Sequence, residues 1–514
     1  MTLTGFLARL LAAACLGMAG AAAAGPAELD ADRLHAEPAA RPWSDATGRP
    51  TANALVARAL IAGAADDGLD PADYRVPETA DPAAAERALS VAVLRWLRDL
   101  HLGRVDPREI GFRLASRQRE HDFAALLAEA LATQRLPELA EALRPAIAPY
   151  RALREALPRY RALAADAALP PVPALPRGTK KLQAGEDWEG TPALRARLLA
   201  LGDLPSGTAP GDEPRRYDDT LADAVQRFQA RHGLDVDGVI GAGTLAALQV
   251  SPARRVRQIE LALERLRWLP HLDAPRGVAV NIPMFRLRAW DAADPARGLG
   301  MAVIVGKALN TRTPVFVDEM THLIFRPYWN VPRSIVRHEV LPGLARDPGY
   351  LARHGLEIVR GPGDDAVAVA PSAANVALLR DGVLRLRQPP GPKNSLGLVK
   401  FVFPNDADVY LHGTPAQQLF GRARRDFSHG CVRVEDPVAL AEWLLRGQPG
   451  WDRAAIVAAM NGTRTRRVDL AAPLPVVLYD LSATVSPDDG RLHFAADLYG
   501  HDARLEAALA KRRR

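Results

Sequence analysis

Apolar residues recur at two different periods along this chain. Up to about Arg177 they come in long runs rich in Ala, Leu and Arg, and Ala52 to Ala65, Ala83 to Leu102 and Phe123 to Leu143 predict helices. Asp81-Pro82 supplies an N-cap and a first-turn proline for the second run. A Pro-rich stretch, Leu169 to Pro176, then reads as a stiff linker. Beyond it, Thr191-Pro192 opens a helix carrying Leu194, Leu198 and Leu201, and Leu221, Ala224, Val225 and Phe228 form one stripe of a second helix that Gly233 stops. A turn, Asp235 to Gly241, leads to a third short helix with Leu245 and Leu248. From about Arg255 the period becomes two: Val278, Val280 and Ile282 alternate, as do Met301, Val303 and Val305, and short strand-like runs follow at Leu398 to Phe403 and Val409 to His412.

These patterns predict a multidomain α+β protein: a helical scaffold (26–180), a small three-helix module (185–250), and a β-rich, sandwich-like catalytic domain (255–465). An insertion with its own helical signals (331–396) interrupts the last. Asp436-Pro437 caps a helix through Leu440, Trp443 and Leu444, and the C-terminal segment (466–514) contains a strand at Leu474 to Tyr479 expected to pack back on the scaffold. A length of 514 residues, at roughly 150 per domain, agrees with about three domains.

Residues 1–24 carry Arg9, then an apolar run ending in Ala22-Ala23-Ala24, which reads as a secretory signal peptide. Two alternatives are a retained anchor, for which the run falls short of the roughly 20 apolar residues that span a bilayer, and a lipoprotein signal ending at Cys15. No later segment is apolar enough to span, so the mature protein is expected outside the cytoplasm. A net charge of +6 favours polyanionic surroundings such as wall or membrane surface, and no nucleic-acid motif is present.

The candidate chemistry lies in Ser428-His429-Gly430-Cys431-Val432-Arg433. Cys431 is the second of two cysteines and the only one left once the export signal is removed, so it has no intramolecular disulfide partner. Sixteen positions before Ser428 stands His412, in Tyr410-Leu411-His412-Gly413-Thr414-Pro415. A thiol, a base and glycines for close backbone approach are the inventory of a cysteine acyltransferase or hydrolase. A zinc site of His412, His429 and Cys431 lacks a fourth ligand, calcium at Asp235 and Asp237 lacks the EF-hand spacing, and no carboxylate pair, phosphate loop or serine nucleophile elbow can be singled out. No metal or cofactor is expected.

The paired motifs His412 to Pro415 and Ser428 to Arg433 resemble the active-site signature of the L,D-transpeptidases of bacterial cell walls. The three-helix module, through Ala224-Val225-Gln226-Arg227-Phe228-Gln229 and its Asp-Gly turn, resembles a peptidoglycan-binding module. The resemblance to large, scaffold-bearing periplasmic members implies that 331–396 is a cap over the active site. It implies Cys431 as nucleophile and His412 as its base, with His429 as the alternative base or a loop-holding residue. Backbone donors at Gly430 and Cys431 would form the oxyanion hole, supported by Gly413, Ser428 and Tyr410. Arg433, which stands where many smaller members have Asn, would anchor a substrate carboxylate or else brace its strand. The implied reaction joins the third residues of two tetrapeptide stems through a thioester, with D-alanine released and carbapenems as expected acylating agents. Donor and acceptor stems, and other wall-synthesis proteins, are the implied partners. An L,D-carboxypeptidase or crosslink hydrolase on the same fold, and a non-catalytic wall-binding scaffold, are the alternatives.

Overall fold

A computed structural model describes residues 25–36, 41–115, 117, 120–208, 213–308 and 311–512; the expected signal peptide and Cys15 lie outside them. The chain divides into two compact units. The first comprises the described residues up to Gly103 with Arg117–Arg144, and the second comprises 104–116 and the chain from Pro145 onward.

The first unit is helical: α1 (Pro26–Leu34), α2 (Ala52–Ala62), α3 (Pro82–Leu102), α4 (Phe123–Ala132) and α5 (Leu136–Leu143). Side chains of Thr51, Asp81 and Asp122 each accept a backbone N–H in the first turn of α2, α3 and α4, satisfying donors that have no partner within the helix. Leu89, Val93, Trp96, Leu97 and Leu100 of α3 form the spine of its core against Phe123, Leu127 and Leu136. Trp43 docks on the same helix, its indole N–H donating to Ser90 at 2.7 Å.

After residues 104–116 the second unit continues with α6 (Ala148–Ala165), which the sequence reading groups with the scaffold. Its Leu153, Leu157 and Tyr160 instead pack with residues of α10 (Pro252–Leu266), Ile259, Leu263 and Leu266. Between them lies the three-helix module, α7 (Thr191–Leu201), α8 (Asp219–Arg231) and α9 (Ala242–Gln249). Leu221, Ala224, Val225 and Phe228 close its core, as the stripe predicts. Asp237 is used locally, accepting from Gln229 at 2.9 Å and from the Val239 N–H at 2.8 Å, which fixes the turn.

The β-rich part contains β1 (Arg276–Asn281), β2 (Arg286–Asp291), β3 (Leu299–Gly306), β4 (Phe316–Phe325), and then a segment with its own core. That segment holds β5 (Trp329–Asn330), α11 (Arg333–Ile335), α12 (Leu341–Arg346), α13 (Tyr350–Arg353), β6 (Glu357–Arg360), β7 (Val367–Val369), α14 (Ala373–Asp381) and β8 (Arg385–Gln388). Its strands form a separate sheet in the order β5-β8-β6-β7 over Val331, Val336, Leu351, Ile358 and Leu386. The main sheet resumes with β9 (Val399–Val402), β10 (Leu411–His412), β11 (Asp426–Ser428) and β12 (Val432–Val434). After α15 (Pro437–Leu444) and α16 (Arg453–Asn461) comes β13 (Arg466–Tyr479).

Among the described residues the main sheet has nine strands in the order β11-β3-β12-β10-β9-β4-β13-β1-β2, and β2 also pairs with β3. The sheet therefore closes on itself, which leaves β11 as a side branch and joins the two layers at both edges. Inward positions alternate along each strand: Val278, Val280, Val303, Val305, Val399, Phe401, Val476 and Leu478 are fully buried. The C-terminal segment contributes β13 between β1 and β4, so it is an internal strand of this sheet. A hairpin, β14 (Ala483–Val485) and β15 (Leu492–Phe494), covers α6 and α10, with Phe494 5.5 Å from the Tyr160 ring, and α17 (His501–Arg512) ends the described chain.

Glu264 of α10 is fully buried and accepts from Arg104 Nε at 3.1 Å, Val105 N at 3.2 Å and Arg267 Nη1 at 3.2 Å. Burial opposes its charge, yet the two guanidiniums outweigh it and hold the carboxyl below the ordinary range. Glu264→Ala removes the buried carboxylate that two guanidiniums share and should destabilise the second unit by about 3–5 kcal/mol, read as a lower urea midpoint for that unit. A depressed folded-state pKa means that this stabilisation is present above the unfolded pKa and disappears as pH falls through the folded one.

Candidate active site

Strands β10 and β12 lie parallel, with Leu411 opposite Val432 and His412 opposite Arg433, and the Val432 N–H donates to the Tyr410 carbonyl at 3.1 Å. Leu411 and Val432 are fully buried on the core side. Side chains alternate along a strand, so Tyr410, His412, Cys431 and Arg433 share the other face. On the far side of β10, antiparallel β9 sets Lys400 opposite His412. Two motifs sixteen residues apart and a lysine from a third strand thus line one cavity of about 920 Å³, together with Trp329, Ser428 and His429.

The resting site is uncharged at its thiol and imidazole. Burial drives His412 down to about 3, the Arg433 charge adds to the effect, and its Nδ1 lies 2.5 Å from the Gly413 carbonyl. A carbonyl only accepts, so the proton sits on Nδ1 and Nε2 keeps the lone pair. Burial pushes the Cys431 thiol up, with hydrogen bonds from Tyr410 and the Lys400 charge opposing it. The Sγ lies 3.6 Å from the Asp408 carbonyl. The Lys400 ammonium sits 3.7 Å from the centre of the Tyr410 ring, and burial lowers its pKa against the pull of Cys431. Burial and the neighbouring sulfur hold the Tyr410 phenol well above its usual range, so it remains a donor.

Arg433 is the unpaired group. Burial lowers its pKa, and its Nε is buried without a hydrogen-bond partner. Its guanidinium is half-buried at the wall of the cavity, where a planar fork of donors is suited to a carboxylate.

The nucleophile loop is tied from within. Ser428 Oγ donates to the Cys431 carbonyl at 2.5 Å and accepts the Gly430 N–H at 3.3 Å, so that N–H, expected in the oxyanion hole, is engaged inside the loop. Gly430 has φ +115°, a conformation that L side chains rarely adopt. Thr313 Oγ1 donates to the Gly430 carbonyl at 2.8 Å, and Tyr499 braces the same turn, accepting from Thr313 N at 3.2 Å and donating to the Gly306 carbonyl at 2.6 Å. Gly413 supplies the acceptor for His412, and Gly397 (φ +66°) packs so close that a Cβ there would meet the Gly413 carbonyl carbon at 2.7 Å. His429 turns to the inserted segment, with Nε2 2.5 Å from Glu339 Oε1.

Sequence reasoning missed Lys400, Trp329, Thr313, Tyr499 and Glu339. Lys400 alone left a trace, a charge at an alternate position of the run Val399-Lys400-Phe401-Val402. The others come from distant segments without a motif.

Among the described residues, one group has metal-ligand geometry: His101, Glu120 and His121 in the first unit, with ligand atoms within 4.8 Å of one another. Arg117 lies 3.0 Å from His101 Nε2 and donates to Glu120 at 2.6 Å, so a cation already occupies the position an ion would take. Among the described residues no helix is long and apolar enough to cross a membrane.

Two outcomes follow from this geometry. Iodoacetamide should alkylate Cys431 more slowly than a free thiol at pH 7, with the rate climbing through and above pH 9, and Lys400→Met should slow it further by removing the cation that favours the thiolate. Tyr499→Phe removes the donor to Gly306 and should cost about 1–2 kcal/mol in thermal stability together with a fall in turnover.

Parts of the chain match known protein families. Residues 275–455 match the YkuD family, the L,D-transpeptidase catalytic domain. Residues 38–157 match a "Scaffold domain" and 189–248 a "Putative peptidoglycan binding domain". A "Putative L,D-transpeptidase" of Haemophilus influenzae is 31% identical over 253 residues, which is 49% of this chain and 49% of that protein. The alignment thus spans about half the length of this relative. The chain carries a YkuD-type L,D-transpeptidase catalytic domain, in one polypeptide with a domain of the peptidoglycan-binding type.

Proposed function

We propose that this protein is an exported, periplasmic L,D-transpeptidase that crosslinks the third residues of peptidoglycan stem peptides through a Cys431 thioester. What carries the reading is the convergence of Cys431, His412, Tyr410 and Arg433 on one face of a parallel strand pair inside one cavity. Residues 1–24 would direct export, and the three-helix module would hold the enzyme near glycan strands.

In the first half-reaction, Arg433 pairs with a donor-stem carboxylate and brings the carbonyl of its third residue to the thiol. As sulfur attacks, His412 Nε2 takes the thiol proton. A thiol held up and an imidazole held down form no ion pair at rest, so proton transfer accompanies attack. The carbonyl oxygen becomes an oxyanion facing Tyr410 and the Lys400 ammonium, which are held in place before the reaction. Collapse breaks the bond to the terminal D-alanine, whose amine leaves with the proton from His412, and the acyl group remains as a thioester. In the second half-reaction the side-chain amine of an acceptor stem attacks that carbonyl, His412 receives the amine proton, and collapse returns it to the departing thiolate.

The test is incubation of the mature protein with tetrapeptide muropeptides, with products read by liquid chromatography and mass spectrometry. Dimers joined through the third residues are expected, absent with Cys431→Ala and reduced by about 10²–10⁴-fold with His412→Ala. Tripeptides alone would make the protein a carboxypeptidase, and unchanged muropeptides with all forms would leave a wall-binding role.

A further inference from the structure

The inserted segment holds a second cavity, of about 710 Å³, which the proposed half-reactions leave unused. It shares Asn330, Pro332, Ser334 and Arg385 with the catalytic cavity, so the two are neighbours. Its floor is apolar, from Val336, Leu341, Leu379 and Leu386; of the four arginines that line it, Arg333 donates to the Asp381 carbonyl at 3.1 Å, and Arg337, Arg380 and Arg385 stand exposed around it. No Asp or Glu lines it. Of the acids nearby, Asp347 pairs with Arg353, Glu357 with Arg387 at 2.5 Å and Glu339 with His429, while Asp381, beside Arg380 in the chain, is exposed and does not line the cavity. Among the described residues, none of the three arginines has a carboxylate in ion-pair range. Three cations over an apolar floor, without counter-charge, suit a ligand that carries carboxylates beside small aliphatic groups.

We infer that this cavity seats the carboxylates of the acceptor stem peptide, with Arg337, Arg380 and Arg385 delivering the stem's free amine toward Cys431. The assignment rests on the transpeptidase reading above. An acceptor stem differs from water, the competing nucleophile, in being a large anion. Arg337 and Arg380, beside the donor cavity and not within it, raise the local concentration of the stem without competing for the donor's place on Arg433. The balance between crosslinking and hydrolysis then depends on this cavity.

Arg337 and Arg380 line this cavity and not the catalytic one, so Arg337→Ala/Arg380→Ala tests the inference. Single-turnover acylation of Cys431 by a tetrapeptide muropeptide, read by intact-protein mass, should stay within about twofold of the parent. The KM for a disaccharide-tripeptide acceptor should rise about fivefold to tenfold, with tripeptide hydrolysis product gaining on crosslinked dimer. Arg337→Lys/Arg380→Lys should recover most of the loss. Equilibrium binding of the same disaccharide-tripeptide to Cys431→Ala protein requires no chemistry. It should weaken by a similar factor in the alanine variant, and when the tripeptide's terminal carboxylate is amidated. Unchanged acceptor KM with unchanged binding would overturn the inference. So would loss of acylation together with crosslinking that lysine fails to rescue, because the arginines would then only hold the segment together. Should Cys431 of the parent fail to acylate at all, the transpeptidase reading fails, and the binding comparison alone decides the cavity.

Discussion

Strand β10 has two residues and β12 has three, and the site depends on their running parallel in one register. A parallel pair cannot be closed by a tight turn, so the chain between them must cross over. Residues 413–431 do this and place β11 against β3 on the way. The separation of His412 from Cys431 along the chain is set by that crossover. A slip of one residue in either strand would send His412 or Cys431 into the core and Leu411 or Val432 into the cavity. Full burial of those two aliphatic side chains is what pins the register.

Burial also sets the electrostatics. Each ionisable group around the sulfur, Cys431, His412, Tyr410, Lys400 and Arg433, is moved toward its neutral form chiefly by loss of water. A neutral thiol beside a neutral imidazole is a resting state in which charge appears only when a substrate brings a carbonyl to receive it. Arg433 is the exception in kind: a guanidinium remains charged even where burial lowers its pKa, and its Nε is left without a hydrogen-bond partner among the described residues.

The catalytic loop is held by parts of the chain far from it. Tyr499 and Thr313 brace the turn at Gly430, β13 lies between β4 and β1, and Glu339 of the inserted segment holds His429. The C-terminal segment is therefore built into the same sheet as the nucleophile loop, and the inserted segment reaches that loop through the Glu339–His429 contact.

Local pattern was enough to find the elements and the chemistry. Period-two alternation marks Val278 to Ile282 and Met301 to Val305, the i, i+3, i+4, i+7 stripe marks α8, and Asp81, Asp218 and Asp436 each cap the helix they precede. All of these depend on residues within a turn or two of one another, and so they are legible in one dimension. The two motifs announced a thiol and a base for the same reason. Closure of the sheet through β2 and β3, the transfer of α6 to the second unit, Lys400 opposite His412, the engagement of Gly430 N–H by Ser428 and the turning of His429 to Glu339 were decided only in the folded chain. Each is a contact between segments whose separation along the chain carries no information about their meeting, or a choice among partners that only packing presents. The sequence by itself determined which atoms could do the chemistry; burial and strand register decided which of them face one another, and in what state of charge.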